Sequence, residues 1–180
     1  MKNQNTKKLA YAALFLALCL VLPMLTGQIP QIGSMLLPMH IPVLLCGLVC
    51  GWQYGAAVGF VAPLLRSVLF GMPPMYPVAI AMAFELLTYG LVIGLVYRRM
   101  AQKGAAGVYA ALLTAMVAGR LVWGVAEVVL LGLGGKAFTA QTFLAGALLN
   151  AVPGIIVQLV LIPAVMAVLQ KARAVKEYAE

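Results

Sequence analysis

One long stretch of the chain carries no charge: residues 9–65 contain no Asp, Glu, Lys or Arg. A soluble domain has charge on about a quarter of its residues, whereas this chain of 180 residues is 9% charged and 64% apolar. A helix needs about 20 apolar residues to cross the hydrocarbon core of a bilayer. The uncharged stretch therefore indicates an integral membrane protein.

The charged residues that do occur argue against two classes of soluble protein. All four acidic residues are Glu, which leaves few carboxylates for a water-facing enzyme built on carboxylate pairs. The net charge of +8 does not indicate a nucleic-acid partner, because the cations lie between apolar runs rather than on one wettable face.

The three cysteines lie inside apolar runs without a Cys-x-x-Cys pair, so we expect no metal and no cofactor.

Apolar runs predict an all-α membrane protein with six transmembrane helices in a single domain, residues 1–180. The predicted spans cover residues 9–25, 39–51, 55–71, 78–97, 107–132 and 141–169. The second and third spans meet at Gly51-Trp52-Gln53-Tyr54-Gly55. Two glycines flank a short polar patch there, which predicts a turn.

Clusters of cations predict the orientation of these helices. Three clusters contain Lys2, Lys7 and Lys8, then Arg98, Arg99 and Lys103, then Lys171, Arg173 and Lys176. Six helices place all three clusters on one side, and cytoplasmic loops are the ones that retain Lys and Arg. Both termini are therefore predicted to be cytoplasmic. Residues 26–38, 72–77 and 133–140 become outer loops, either a lid over a pocket or simple connectors.

Four ionisable residues fall inside the predicted spans, namely Arg66, Glu85, Arg120 and Glu127. An ionisable side chain in a membrane helix costs at least about 2.5–3.5 kcal/mol and needs a partner or a watery cavity. Helix rise places three of them in the outer half and Arg120 nearer the middle. Two interpretations stay open: the four charges bind a ligand, or they neutralise one another as structural pairs.

Several uncharged residues are predicted to share this interior zone. Tyr89 follows Glu85 by one helical turn, and Trp123 is a candidate stacking surface in mid-span. Asn150 belongs to a small and polar stripe that recurs every four residues through Gln158. His40, at the outer start of the second span, is either a hydrogen-bonded interfacial histidine or a contact for a ligand.

Pairs of small residues, four apart, allow close approach of helices in lipid. They occur at Ala13-x-x-x-Ala17, Gly55-x-x-x-Gly59 and Gly90-x-x-x-Gly94. The first span shows no polar face, so Ala13 and Ala17 are predicted to offer a free surface to another protein.

These features together resemble a known family, the S components of energy-coupling factor (ECF) transporters. The resemblance is strongest over residues 38–97. It is carried by Pro38-Met39-His40-Ile41-Pro42-Val43-Leu44-Leu45, then Gly51, Gly55, Pro63 and Gly71-Met72-Pro73-Pro74, then Glu85-Leu86-Leu87-Thr88-Tyr89-Gly90.

The resemblance implies a subunit that captures a water-soluble vitamin at the outer face of a prokaryotic plasma membrane. Ala13 and Ala17 would contact a membrane-embedded coupling subunit, whose two ATPases supply energy, and the S component would topple to release its cargo inside. The chain has no Gly-x-x-x-x-Gly-Lys-Ser/Thr loop, as expected of a subunit that does not itself hydrolyse ATP. Together with the polar residues of the predicted spans, this gives the predicted substrate contacts: His40, Arg66, Tyr76, Glu85, Tyr89, Arg120, Trp123, Glu127 and Asn150.

The motif string is most similar to pantothenate-type members of that family. Pyridoxine, hydroxymethylpyrimidine and cobalamin stay open as alternative substrates. A further alternative from another class is an intramembrane enzyme, which would need His40 within hydrogen-bond reach of a nucleophile or of Glu85. We expect a transport subunit and no catalytic residue.

Overall fold

The structure, a computed structural model, describes residues 2–25, 35–134, 139 and 151–171. All regular elements within these residues are helical. The α-helices are α1 Lys2–Leu25, α2 His40–Cys50, α3 Trp52–Phe70, α4 Ile80–Met100, α5 Ala105–Leu133 and α6 Val152–Lys171. A wide, irregular turn at Met75–Ala79 leads into α4, and a 3-10 turn at Ala101–Lys103 follows it.

Five of these helices are long and apolar enough to cross a membrane. They are α1, α3, α4 together with the turn before it, α5 and α6. The exception is α2, which has 11 residues and extends about 16 Å at a rise of about 1.5 Å per residue. The structure confirms an all-helical membrane protein, with a helix in each predicted span. By length, however, α2 falls short of the roughly 30 Å hydrocarbon core.

Helix α4 lies at the centre of the bundle. It packs along α3 on one side and α5 on the other, and it also contacts α2. Helix α2 contacts α1, α3 and α4, and nine of its residues are buried. It is therefore enclosed by protein, which accommodates a helix too short to cross the bilayer. Helix α6 packs against α5 and α2.

Glycines bring α3 and α4 into backbone contact. A Cβ atom added at Gly90 would lie 2.2 Å from the carbonyl carbon and oxygen of Gly55, and one added at Gly59 would lie 2.2 Å from the carbonyl oxygen of Leu86. Gly94 approaches the first residue of α3 in the same way. The predicted motifs Gly55-x-x-x-Gly59 and Gly90-x-x-x-Gly94 therefore serve packing between helices of this chain.

The turn between α2 and α3 is shorter than the sequence predicted. It consists of Gly51 alone, whose φ of 98° and ψ of 168° interrupt the helix, a backbone conformation that glycine adopts without steric cost. The predicted polar turn is wrong over residues 52–55, which form the first turn of α3. Gly55 is a buried helical residue there, and its Cβ position would lie 2.7 Å from the Cα atom of Gly47.

Helix α1 has one buried and one exposed face. Ala12, Phe15 and Cys19 are buried against the bundle, whereas Ala13 and Ala17 are exposed. The spacing of the buried residues, three and four apart, is that of one helical face. Ala13 and Ala17 consequently lie on a surface that the described residues do not cover.

Candidate functional site

Three helices bring polar side chains together at Glu85 of α4. His40, the first residue of α2, places its Nε2 atom 3.4 Å from Glu85 Oε1. Arg120, near the middle of α5, places its Nη1 atom 3.0 Å from the same oxygen. His40 and Glu85 are each 1% exposed, and the Arg120 side chain is 13% exposed. We call these three residues the Glu85 cluster.

Packing around Tyr89 fixes the cluster. Tyr89 follows Glu85 by one turn of α4 and is buried. Its ring meets the His40 ring edge-on, with 5.1 Å between ring centroids and an interplanar angle of 76°. On the α5 side, Gly119 lies against the Tyr89 ring, where an added Cβ atom would come within 2.8 Å of ring carbons. The small residue at this position allows α5 to approach and bring in Arg120.

The backbone before α2 sets the position of His40. Leu37 has a φ of 51°, a left-handed conformation that is uncommon for residues other than glycine. The His40 amide donates to the Leu37 carbonyl over 3.0 Å. The chain therefore turns sharply before α2 begins, and the first side chain of that helix enters the cluster.

The cluster has more hydrogen-bonding capacity than its members use. Within the described residues, several buried polar atoms have no hydrogen-bond partner: Nδ1 and Nε2 of His40, Oε1 of Glu85, Nε and Nη2 of Arg120, and Nε2 of Gln158. The contacts to Glu85 are close enough for electrostatic attraction without the alignment of a hydrogen bond. A buried polar group without a partner costs about 1–3 kcal/mol.

Other predicted site residues lie on α5 beside Arg120. The Arg120 Cζ atom lies 5.8 Å from the centroid of the Trp123 ring, within the range of a cation–π contact. Glu127, two turns further along, is buried and forms no ion pair with any described residue. The carboxylate that Arg120 contacts is therefore on α4 rather than on its own helix.

Two predicted site residues lie apart from the cluster. Arg66 donates from Nη1 to the carbonyl oxygen of Leu20 in α1 over 2.5 Å, and its Cζ atom lies 5.4 Å from the Phe70 ring centroid. Tyr76, exposed in the turn before α4, donates its hydroxyl to the Leu130 carbonyl near the end of α5. Both residues join helices through backbone carbonyls.

One predicted residue falls in a part of the chain that the structure does not describe, and one buried residue was missed. Asn150 lies outside the described residues. Gln158, absent from the predicted contacts, is 1% exposed on α6. The stripe of small and polar residues along the sixth span was the signal that could have identified it. A glutamine in a membrane helix indicates a polar contact with a neighbouring helix, and the same reasoning applied to Asn150 on the same stripe.

An apolar depression of about 410 Å³ lies elsewhere, between α4 and α5. It is lined by Phe84, Leu121, Val122, Val125, Ala126, Val129 and Leu130. No member of the Glu85 cluster lines it, so it offers no polar recognition. Among the described residues, no group of three or more His, Cys, Asp or Glu side chains could hold a metal ion.

Comparison with protein families assigns the chain. The model of the family described as "ECF transporter, substrate-specific component" matches residues 7–166. The chain belongs to this family. Comparison with curated proteins gives no match, and comparison with solved structures gives none.

Membership defines the general role of this ECF substrate-specific component. The family consists of transporter components rather than enzymes, and its members act with a substrate and with subunits of the ECF module. The apolar helices agree with a multi-pass membrane location. His40 does lie 3.4 Å from Glu85, a distance that the alternative of an intramembrane enzyme required. The family assignment nevertheless favours transport.

Proposed function

We propose that this ECF substrate-specific component captures a small water-soluble vitamin at the outer face of a prokaryotic plasma membrane. It then delivers the vitamin inward with a coupling subunit and two ATPases. Pantothenate is the first candidate, because the sequence motifs are most similar to pantothenate-type members. The whole chain acts as one six-helix transmembrane domain with both termini in the cytoplasm.

The observation that carries this proposal is the Glu85 cluster. Side chains from α2, α4 and α5 meet at one carboxylate oxygen in the interior of an apolar bundle. Burying polar atoms without partners is costly, and in membrane helices such groups are usually functional. A polar ligand that supplies the missing partners would remove this cost, which supports binding at the cluster.

The contact between Tyr76 and the Leu130 carbonyl supports the proposed position of the site. It joins the segment before α4 to the last turn of α5. By the positive-inside rule, the cation clusters predict that these two ends lie on the outer side. A vitamin entering from outside would then meet residues 72–77 before it reaches Glu85, which suits a lid.

Ligand binding tests the proposal directly. Thermal unfolding of the purified chain in detergent is measured with each B vitamin, and any stabilising vitamin is then titrated by calorimetry. We expect one vitamin to raise the unfolding temperature strongly, since ligand at about 100 times its Kd adds about 2.7 kcal/mol of stability. Absence of a shift with every vitamin would contradict the proposed function.

Assembly tests the proposed coupling surface on α1. Ala13→Trp should abolish co-purification with the coupling subunit, because a bulky side chain blocks close approach of a second helix. Ala13 is exposed, so vitamin affinity should not change. Ala167→Trp on α6 is the matched control, since Ala167 is also an exposed alanine in a long apolar helix. Unchanged assembly of Ala13→Trp would exclude this surface.

A further inference from the structure

Beside its contact with the Trp123 ring, the guanidinium of Arg120 pairs with Glu85 through one nitrogen. Its Nη1 atom lies 3.0 Å from Glu85 Oε1. Its Nε and Nη2 atoms are buried and have no hydrogen-bond partner there. These two nitrogens present their N–H groups from the same edge of the planar group, a spacing that matches the two oxygens of a carboxylate.

The unpartnered atoms also have a clear chemical bias. Nε and Nη2 of Arg120 can only donate, whereas Glu85 Oε1 can only accept when ionised. The neutral His40 ring contributes one donor and one acceptor. Donors therefore exceed acceptors, and a ligand rich in acceptors satisfies more of these atoms than a ligand rich in donors.

The second membrane arginine does not offer the same arrangement. Arg66 donates to the Leu20 carbonyl and lies against the Phe70 ring. It has no carboxylate within ion-pair distance among the described residues. Its contacts join α3 to α1, whereas Arg120 lies where α2, α4 and α5 meet.

We propose that the ligand of this site carries a carboxylate, which binds in a bidentate manner to Nε and Nη2 of Arg120. Glu85 holds Nη1 and so fixes the plane of the guanidinium. One guanidinium thereby binds two carboxylates on different sides. This inference rests on the proposed function and narrows it to vitamins that are acids, in preference to uncharged rings such as pyridoxine.

The test uses acids and their uncharged counterparts as paired probes. Pantothenate is compared with panthenol, nicotinate with nicotinamide, and biotin with its amide, by calorimetric titration into the purified full chain. We expect at least one acid to bind, and its uncharged counterpart to bind more weakly by about tenfold or more. This follows because charge-assisted bidentate hydrogen bonds are lost.

Two matched variants test which membrane arginine binds the carboxylate. Arg120→Lys keeps the positive charge but loses the planar pair of donors, so affinity for the acid should fall by about tenfold or more. Arg66→Lys makes the same change at the other membrane arginine and should leave affinity within about twofold. Thermal unfolding without ligand checks that both variants fold, and the paired probes on the parent chain decide the question if one does not.

The outcomes distinguish the carboxylate inference from the vitamin-capture function on which it rests. An uncharged vitamin that binds at least as tightly as every acid would overturn the carboxylate inference while the vitamin-capture function stands. Acid binding that is unchanged in a folded Arg120→Lys variant would also overturn it. Failure of every acid and every uncharged vitamin to bind would contradict the capture function itself.

Discussion

Two neighbouring faces of α4 differ in how they pack against the adjacent helices. On one face, Leu86 and Gly90 meet the α3 backbone at Gly59 and Gly55, with no space for an added carbon atom. On the other, about 100° around the helix, Glu85 and Tyr89 meet polar and aromatic groups of α2 and α5. The first face, which we call the glycine seam, packs backbone against backbone, whereas the second has buried polar atoms without hydrogen-bond partners among the described residues.

This difference indicates how a membrane bundle can hold a buried polar cluster in place. The glycine seam fixes α4 relative to α3 by close backbone packing, which lipid permits when side chains are small. Because α4 is fixed on that side, Glu85 stays in position although its own contacts are poorly aligned. Close backbone packing and buried polar groups thus occupy separate faces of one helix.

The largest effect should come from breaking the ion pair on the polar face. Glu85→Gln leaves the Arg120 charge without its carboxylate, and Arg120→Gln leaves Glu85 without its cation. Each should lower the free energy of unfolding by about 3–5 kcal/mol. The double variant should lose clearly less than the sum of the two, because neither charge is then left alone.

Equilibrium unfolding of the three variants and the parent in detergent measures this coupling. Additive losses would show that Glu85 and Arg120 do not stabilise each other. The ion pair would then add no coupling energy on the polar face, which would sharpen the contrast between the two faces.

An intermediate effect should come from filling the glycine seam. Gly90→Ala places a carbon atom against the Gly55 backbone and should destabilise the chain by about 1–3 kcal/mol. Gly132→Ala is the matched control, because an added Cβ atom at Gly132 in α5 meets no atom within 4 Å. Thermal unfolding compares the two variants. Equal unfolding temperatures would mean that the seam tolerates expansion and does not fix α4.

The smallest effect should come from removing a polar group that has no hydrogen-bond partner in the part of the chain that the structure describes. Gln158→Met keeps the length of the side chain and removes an unsatisfied amide, so stability without ligand should stay the same or rise by about 1 kcal/mol. Gln170→Met is the control on the same helix, because Gln170 donates to the Tyr97 hydroxyl over 3.1 Å. That variant should lose about 0.5–1.5 kcal/mol. A larger loss in Gln158→Met than in Gln170→Met, measured by thermal unfolding, would show that Gln158 is satisfied after all.

The sequence predicted the helices well because apolar runs and small-residue spacing are local signals. Gly55, Gly59 and Gly90 could be recognised as packing residues, although the sequence did not reveal that they pack against each other. The turn before α3 was misplaced because a polar patch at residues 52–55 is compatible with the first turn of a helix. A single glycine with positive φ was sufficient to separate α2 from α3.

The contact partners of the charged residues in the membrane helices could not be predicted from local sequence patterns. Arg120 and Glu127 lie two helical turns apart on one helix, but Arg120 contacts Glu85 on another helix. Arg66 contacts a backbone carbonyl, an acceptor that every residue offers and that no side-chain pattern reveals. Glu85 and Tyr89 share a helical turn, so their common environment could be predicted. The approach of His40 depends on the tertiary fold.

The contact of Arg66 with Leu20 has a mechanical consequence for transport. Withdrawing α1 from α3 would expose a guanidinium to lipid, which costs at least about 2.5–3.5 kcal/mol. Leu20 belongs to the same helix as Ala13 and Ala17. A force applied to that helix by a neighbouring subunit would pass through the arginine to the rest of the bundle. Helix α1 would then move together with the bundle rather than swing independently of it.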